Sequence, residues 1–213
     1  PLFRLSCLLV TSPGAEEATE LAENSGSFGG ALLRNGDFER GTEGWNALWS
    51  RGEGAGSAAL DTAERHGGTQ SLRIEHTGRE DWSLAQARGL NVQAGEIYEL
   101  SAWCRVRGPG RVTLGVVTRD GDGKTIDWAY GAKSAHETDG WIFLRSHFII
   151  PPGVAAIWPR LIGDGPVTVW CDDFSLTRQG NLSELRVQGL PEAVVARNAA
   201  IGLPSAQPMP RSP

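Results

Sequence analysis

Apolar and polar residues alternate along most of this chain. From residue 31 onward, ten short runs follow one another at 31–38, 58–61, 71–76, 82–92, 97–106, 111–118, 124–130, 141–150, 155–162 and 167–176. Gly, Asp and Pro break them, the residues that supply turn geometry. Alternation with period two is the signature of a half-buried strand. In 97–106, Tyr98, Leu100, Ala102, Cys104 and Val106 share one face, and Glu99, Ser101, Trp103 and Arg105 the other. In 141–150, Ile142, Leu144, Ser146, Phe148 and Ile150 point inward and Phe143, Arg145 and His147 outward. Trp158 and Arg160 oppose Ile157 and Leu161. Several strands thus bury one face and offer aromatics and arginines on the other. No helical period is visible between 31 and 178, so the pattern predicts an all-β sandwich or barrel of about ten antiparallel strands.

The flanks differ. Residues 13–24 hold helix formers with acids in the first turn and Ser12 as an N-cap, which predicts a short helix. A Ser/Gly linker follows at 25–30. Residues 1–15 carry an arginine, a short apolar run and then small residues, so 1–30 reads as a leader, either a secretory-signal remnant or a disordered end. The apolar run is too short to span a membrane. Beyond 178 the pattern decays; 181–189 reads as one more strand, and the proline-rich remainder as a linker or the start of a following domain. The expected organisation is 1–30, 31–178 and 179–213.

Composition narrows the function classes. The 213 residues carry a net charge of −5 without a basic stripe, which argues against nucleic acid as a partner. Eight tryptophans stand against two tyrosines, pointing to a large core, a stacking platform or both. Cys7, Cys104 and Cys171 form no disulfide framework; the last two read as buried thiols, with one bridge between them as the alternative. The four histidines lack metal spacing, and no serine sits in a nucleophile elbow. The stretch RDGDGKT at 119–125 lacks a phosphate loop's first glycine and a calcium hand's later ligands, and predicts an Asp-Gly hairpin turn.

Two acidic clusters remain: RNGDFERGTEGW at 34–45 and VWCDDFSL at 169–176. If the first and last strands close the sandwich, these clusters become neighbours. Carboxylates gathered at a rim repel one another unless a cation joins them, and calcium takes such oxygens. Two solvated acidic turns are the alternative.

Five segments in order, NGDFERGTEGW, HGGTQSLRI, YELSAWCRV, the tryptophan opening 141–151, and VTVWCDDFSL, resemble the CenC-type carbohydrate-binding modules over residues 31–178. The resemblance implies a jelly-roll β-sandwich stabilised by calcium. It implies a non-catalytic module that binds a polysaccharide or oligosaccharide, is covalently linked to a catalytic domain such as a secreted glycoside hydrolase or lyase, and lies outside the cell or at its surface. The implied calcium ligands are the Glu39 side chain, a carbonyl at Asp37, a carbonyl near Gln70, and Asp172. The segment HGG replaces an acidic residue found in some members, so Glu64 or His66 would have to substitute.

The resemblance also implies sugar contacts. An indole covers the apolar face of a pyranose, while arginines and carboxylates meet its hydroxyls. Trp82 matches the place of a stacking tryptophan, Trp128 and Tyr130 a second aromatic region, and Trp158 and Arg160 a strand with further contacts. Trp103 and Arg145 join this set by face alone. Trp45 and Trp141 are expected in the core, Trp170 over the calcium rim, and Trp49 in either role. Two rival readings stay open: a structural spacer that binds no sugar, and a glycan-active enzyme, which needs two carboxylates or a His/Tyr pair facing each other in the groove.

Overall fold

The structure, a computed structural model, describes residues 32–184. The expected leader helix, Cys7 and most of the segment after 178 lie outside these residues. The described chain is a β-sandwich of eleven strands: β1 Trp49–Ser50, β2 Gly56–Asp61, β3 Ser71–His76, β4 Asp81–Ala85, β5 Leu90–Asn91, β6 Glu96–Arg107, β7 Arg111–Arg119, β8 Thr125–Ala135, β9 Ile142–Ile149, β10 Ala156–Asp164 and β11 Val167–Asn181. A single 3-10 turn, Leu182–Glu184, follows. One sheet runs β1-β4-β10-β7-β8, with β5 also on β10; the other runs β2-β3-β11-β6-β9. Every pairing is antiparallel.

The alternation read from the sequence places the core. Tyr98, Leu100, Ala102, Cys104 and Val106 of β6 are buried, as are Leu144 and Phe148 of β9, and they meet Ile157, Leu161, Leu114 and Val116 of the opposite sheet. Each such aliphatic side chain removed from water contributes about 1.5–3 kcal/mol before entropy is counted.

Several of the expected boundaries shift, and β8 runs on to Ala135. Residues 32–38 form turns and no strand, because Asn35 and Phe38 adopt left-handed backbone angles (φ 50° and 53°) that break any ladder. The Asn35 side chain holds the turn by donating to the carbonyls of Gly41 and Glu43 and accepting from the Arg40 amide. Gly36 is pressed against the Phe174 carbonyl, where a Cβ would overlap it. The expected run 82–92 divides into β4 and β5, and β11 continues past 176 to Asn181. The Asp-Gly hairpin turn at 119–125 is present, with the Asp120 carboxylate accepting the amides of Asp122 and Lys124.

The turn segment still lies beside the last strand. Leu32 donates to the Leu176 carbonyl and Phe174 to the Gly36 carbonyl. Trp45, an expected core residue, is buried against Phe38 and Phe174, with ring centroids 5.2 and 4.9 Å away, and its indole N–H donates to the Asn35 carbonyl.

Candidate functional site

The strand register builds a cleft of about 740 Å³ on the outer face of the β1-β4-β10-β7-β8 sheet. Its floor comes in cross-strand rows. Arg111, Asp164 and Asp81 stand side by side on β7, β10 and β4; the next row is Thr113, Ile162, Ser83 and Trp49; the next is Gly115, Arg160 and Ala85. Trp49 on edge strand β1 and Trp128 on edge strand β8 flank this floor, 50% and 62% exposed. Large exposed indoles are uncommon on a folded surface and mark contact sites.

Two tryptophan–arginine pairs shape the walls. The Arg51 guanidinium lies 5.5 Å from the Trp49 ring and is itself held bidentately by Asp81, at 2.5 and 3.0 Å. This pairing keeps the Asp81 carboxyl below the usual carboxylate range. The Arg160 guanidinium lies 5.6 Å from the Trp128 ring and donates to the Trp128 carbonyl and to Ser83 Oγ. Glycine at 115, the neighbour of Arg160 on β7, leaves that path free of a side chain. Burial draws Arg160 below the ordinary arginine range, against the pull of Asp81 and Asp127.

Of the seven expected sugar contacts, the structure brings only Trp128 and Arg160 into the open cleft. Trp82 is fully buried beneath the floor. It is in phase with Leu84, and its ring packs on Gly163, its partner on β10. Trp158 lies on the same sheet face but outside the cleft, contacted by Gly89 and by the Arg119 guanidinium 4.3 Å from its centroid. The Tyr130 hydroxyl is spent on the Ile149 carbonyl, and its ring packs edge-on to Phe148. Trp103 and Arg145 face out from the other sheet: Trp103 stacks on His66 at 3.9 Å and leans on Phe143, while Arg145 lies 3.9 Å from Glu99. Those two belong to the opposite side of the sandwich because β6 and β9 turn their outer faces away from the cleft.

Sequence reading missed Arg51, Asp81, Ser83, Arg111, Thr113 and Asp164 as cleft residues. The signal for two of them, Asp81 and Ser83, was present. Asp81, Ser83 and Ala85 alternate with Trp82 and Leu84, and the polar phase is the outer one.

The expected calcium ligands gather elsewhere, at the rim where residues 66–70 meet β11. Glu39 accepts from the Thr69 amide, the Thr69 hydroxyl and the Gln70 amide. Asp172, almost fully buried, accepts from the amides of His66, Gly67 and Asp173. Burial raises its carboxyl despite those three donors. Gln70 donates to the Phe38 carbonyl, whereas the Asp37 carboxylate turns back to the Glu39 amide at 3.4 Å. His66 pairs with Asp173 at 2.7 Å, and Glu64 with Arg105. The oxygens match calcium in kind, yet the Glu39 and Asp172 carboxylates already receive three hydrogen bonds apiece. Among the described residues, no three Asp, Glu, His or Cys side chains cluster closely enough to hold an ion. Trp170 does not cover this rim; its N–H donates to Asp61 at 2.9 Å, between Arg105 and Arg107. Trp141, expected in the core, is half-buried beside His66.

Comparison with known proteins agrees with the fold. Residues 30–161 match the family described as carbohydrate binding domain. The CBM22-1 xylan-binding domain from Paenibacillus barcinonensis Xyn10C is 22% identical with a TM-score of 0.53, over 73% of this chain and 99% of that one. TmCBM61, solved with beta-1,4-galactotriose, is 18% identical with a TM-score of 0.51, over 70% and 99%. The enzymatically active domain of bacteriophage CBA120 tailspike protein 4 is 10% identical with a TM-score of 0.55; the match spans 70% of this chain and 21% of that one. No curated protein matches the chain.

Proposed function

The chain belongs to the carbohydrate binding domain family, and on that premise we propose that it holds a polysaccharide or oligosaccharide in the cleft between Trp49 and Trp128. One observation carries the reading: two exposed indoles stand on opposite edge strands of one sheet face, over a floor of hydroxyl, guanidinium and carboxylate groups. An indole takes the C–H face of a sugar ring; Ser83, Thr113, Arg51, Arg111, Asp81 and Asp164 meet its hydroxyls in fixed directions. Trp49 and Trp128 thus replace Trp82 as the stacking surfaces.

The module acts by binding, without catalysis. Asp81 and Asp164 are cross-strand neighbours, as a glycosidase pair would be. Asp81, however, is held ionised by Arg51, the reverse of what a general acid requires. Attachment to a catalytic domain and a place outside the cell belong to the same proposal. Support for attachment comes from similar folds that form part of longer chains, at 21% of the tailspike domain and 49% of a CBM22-1–CBM22-2 tandem. Among the described residues, no helix is long and apolar enough to cross a membrane. A structural calcium at the rim is also proposed; Glu39 and Asp172, with carbonyls at 37 and 70, would hold it, and it would cross-link the 34–45 turn to β11.

The test is a titration of soluble glucans, xylans and galactans followed by tryptophan fluorescence. Saturable binding that is lost in Trp128→Ala and weakened in Trp49→Ala, with unfolding midpoints unchanged, supports the cleft. Binding unaffected by both substitutions moves the site elsewhere. A flat response across every glycan favours the spacer reading.

A further inference from the structure

We propose that the glycan held in this cleft is acidic and that Arg160 receives the carboxylate of a uronic acid unit; the proposal rests on the carbohydrate reading of the same cleft. Five charged side chains line the cleft: Arg51, Asp81, Arg111, Arg160 and Asp164. Four of them cancel in pairs. Arg51 takes both oxygens of Asp81, and Arg111 pairs with Asp164 through two nitrogens. Three arginines against two aspartates leave one positive charge, on a chain whose net charge is −5.

That charge is Arg160. Its partners are all neutral: the Ser83 hydroxyl, the Trp128 carbonyl and the Trp128 ring. Asp81 and Asp127 act on it only through space. The oxygens of Asp81 are taken by Arg51, and Asp127 Oδ1 accepts the Ala129 amide. A half-buried cation with no carboxylate in direct hydrogen-bond contact is incompletely compensated, and a ligand that supplies one recovers part of the desolvation cost.

The geometry suits a carboxylate. Of the five N–H donors, one on each terminal nitrogen is engaged, by Ser83 and by the Trp128 carbonyl. The Nε–H is sealed from solvent without a partner. One donor on each terminal nitrogen remains, and guanidinium N–H groups bond the oxygens of a planar carboxylate more strongly than neutral acceptors. Arg160 stands mid-floor, on the central strand between the two exposed tryptophans. A uronate ring stacked on Trp128 would lie beside the Arg160 guanidinium, 5.6 Å from that indole. A sulfate ester offers a related oxyanion, but its tetrahedral oxygens match the planar guanidinium less well.

The test uses calorimetric titration of oligogalacturonate, oligoglucuronate and oligomannuronate against the same oligomers with esterified carboxyls. Neutral gluco-, xylo- and galacto-oligosaccharides and a sulfated galactan complete the set. At least one free acid is expected to bind roughly tenfold tighter than its ester, the worth of one charge-assisted contact. That advantage is expected to shrink as salt rises and to vanish in Arg160→Gln. If Arg160→Gln fails to fold, the acid–ester ratio and its salt dependence in the unaltered protein decide. Esters or neutral oligosaccharides that bind as well as the acids overturn the charge assignment and leave the carbohydrate reading standing. Preference for the sulfated galactan overturns the uronate assignment. No binding to any member overturns both readings.

Discussion

The Trp82 indole lies on Gly163, its cross-strand partner, in the plane between the two sheets. A Cβ at 163 would overlap both that ring and the Arg111 carbonyl, so the glycine is the space the indole fills. Trp82→Ala should therefore cost about 3–5 kcal/mol of stability, as other large-to-small core changes do. Gly163→Ala should cost about 1–3 kcal/mol by overpacking. Urea unfolding measures both. A Trp82→Ala protein as stable as the parent would show that the indole is not part of the core.

The rim offers a separate measurement. Calcium at a hundredfold excess over its dissociation constant should stabilise the fold by about 2.7 kcal/mol, through binding to the folded state alone. The rise should disappear in Glu39→Gln and in Asp172→Asn. Differential scanning calorimetry with calcium and with chelator reads it directly. An unfolding midpoint that ignores calcium would mean that the hydrogen bonds from residues 66–70 hold this corner by themselves.

Acid should loosen the fold through Asp61. The Trp170 indole N–H, the Glu64 and Ala63 amides and Arg73 together lower its carboxyl below the ordinary aspartate value of about 3.8. A carboxyl lowered in the folded state adds stability above its unfolded value. That stability drains away as pH falls from about 3.8 through the lower folded value. Asp81, lowered by Arg51, contributes in the same window and with the same sign. Trp170→Phe removes the largest cause at Asp61, so its carboxyl should titrate at higher pH by NMR. An unmoved titration would assign the lowering to other groups.

Cys104 and Cys171 face each other as register partners on β6 and β11, both fully buried and free. Burial pushes the Cys104 thiol up to about 12 and raises Cys171 well above its ordinary value. In a Cys7→Ser protein neither thiol should react with Ellman's reagent at pH 8, since the thiolate is the nucleophile. Both should react once guanidinium unfolds the chain. Two thiols that remain silent after unfolding, and appear only with reductant, would show that the pair is bridged.

Much of the fold was legible in residue order. Alternation at 97–106 and 141–150 placed Leu100, Val106, Leu144 and Phe148 inside and Phe143 and Arg145 outside, where the structure has them. The Asn35 turn and the rim acids were visible as clusters, and the structure brings Glu39 and Asp172 to one loop. Trp82 departs from the expected role because it is in phase with buried Leu84, and strand phase, not its match to a family position, decides which face it joins. Trp103 and Arg145 face outward as their strands' alternation predicts, but alternation does not say which sheet a strand joins, and β6 and β9 lie in the sheet opposite Trp128.

Period-two patterning is a local property: steric and solvation terms act on a residue and its near neighbours. The sequence alone therefore determined a β-sandwich, most of its strands, and which side of each strand meets water. Which outer face a residue joins depends on strand pairing between distant segments. Only the tertiary structure could place β1 and β8 at the two edges of one sheet, and so set Trp49 and Trp128 across a single cleft with Arg160 on its floor.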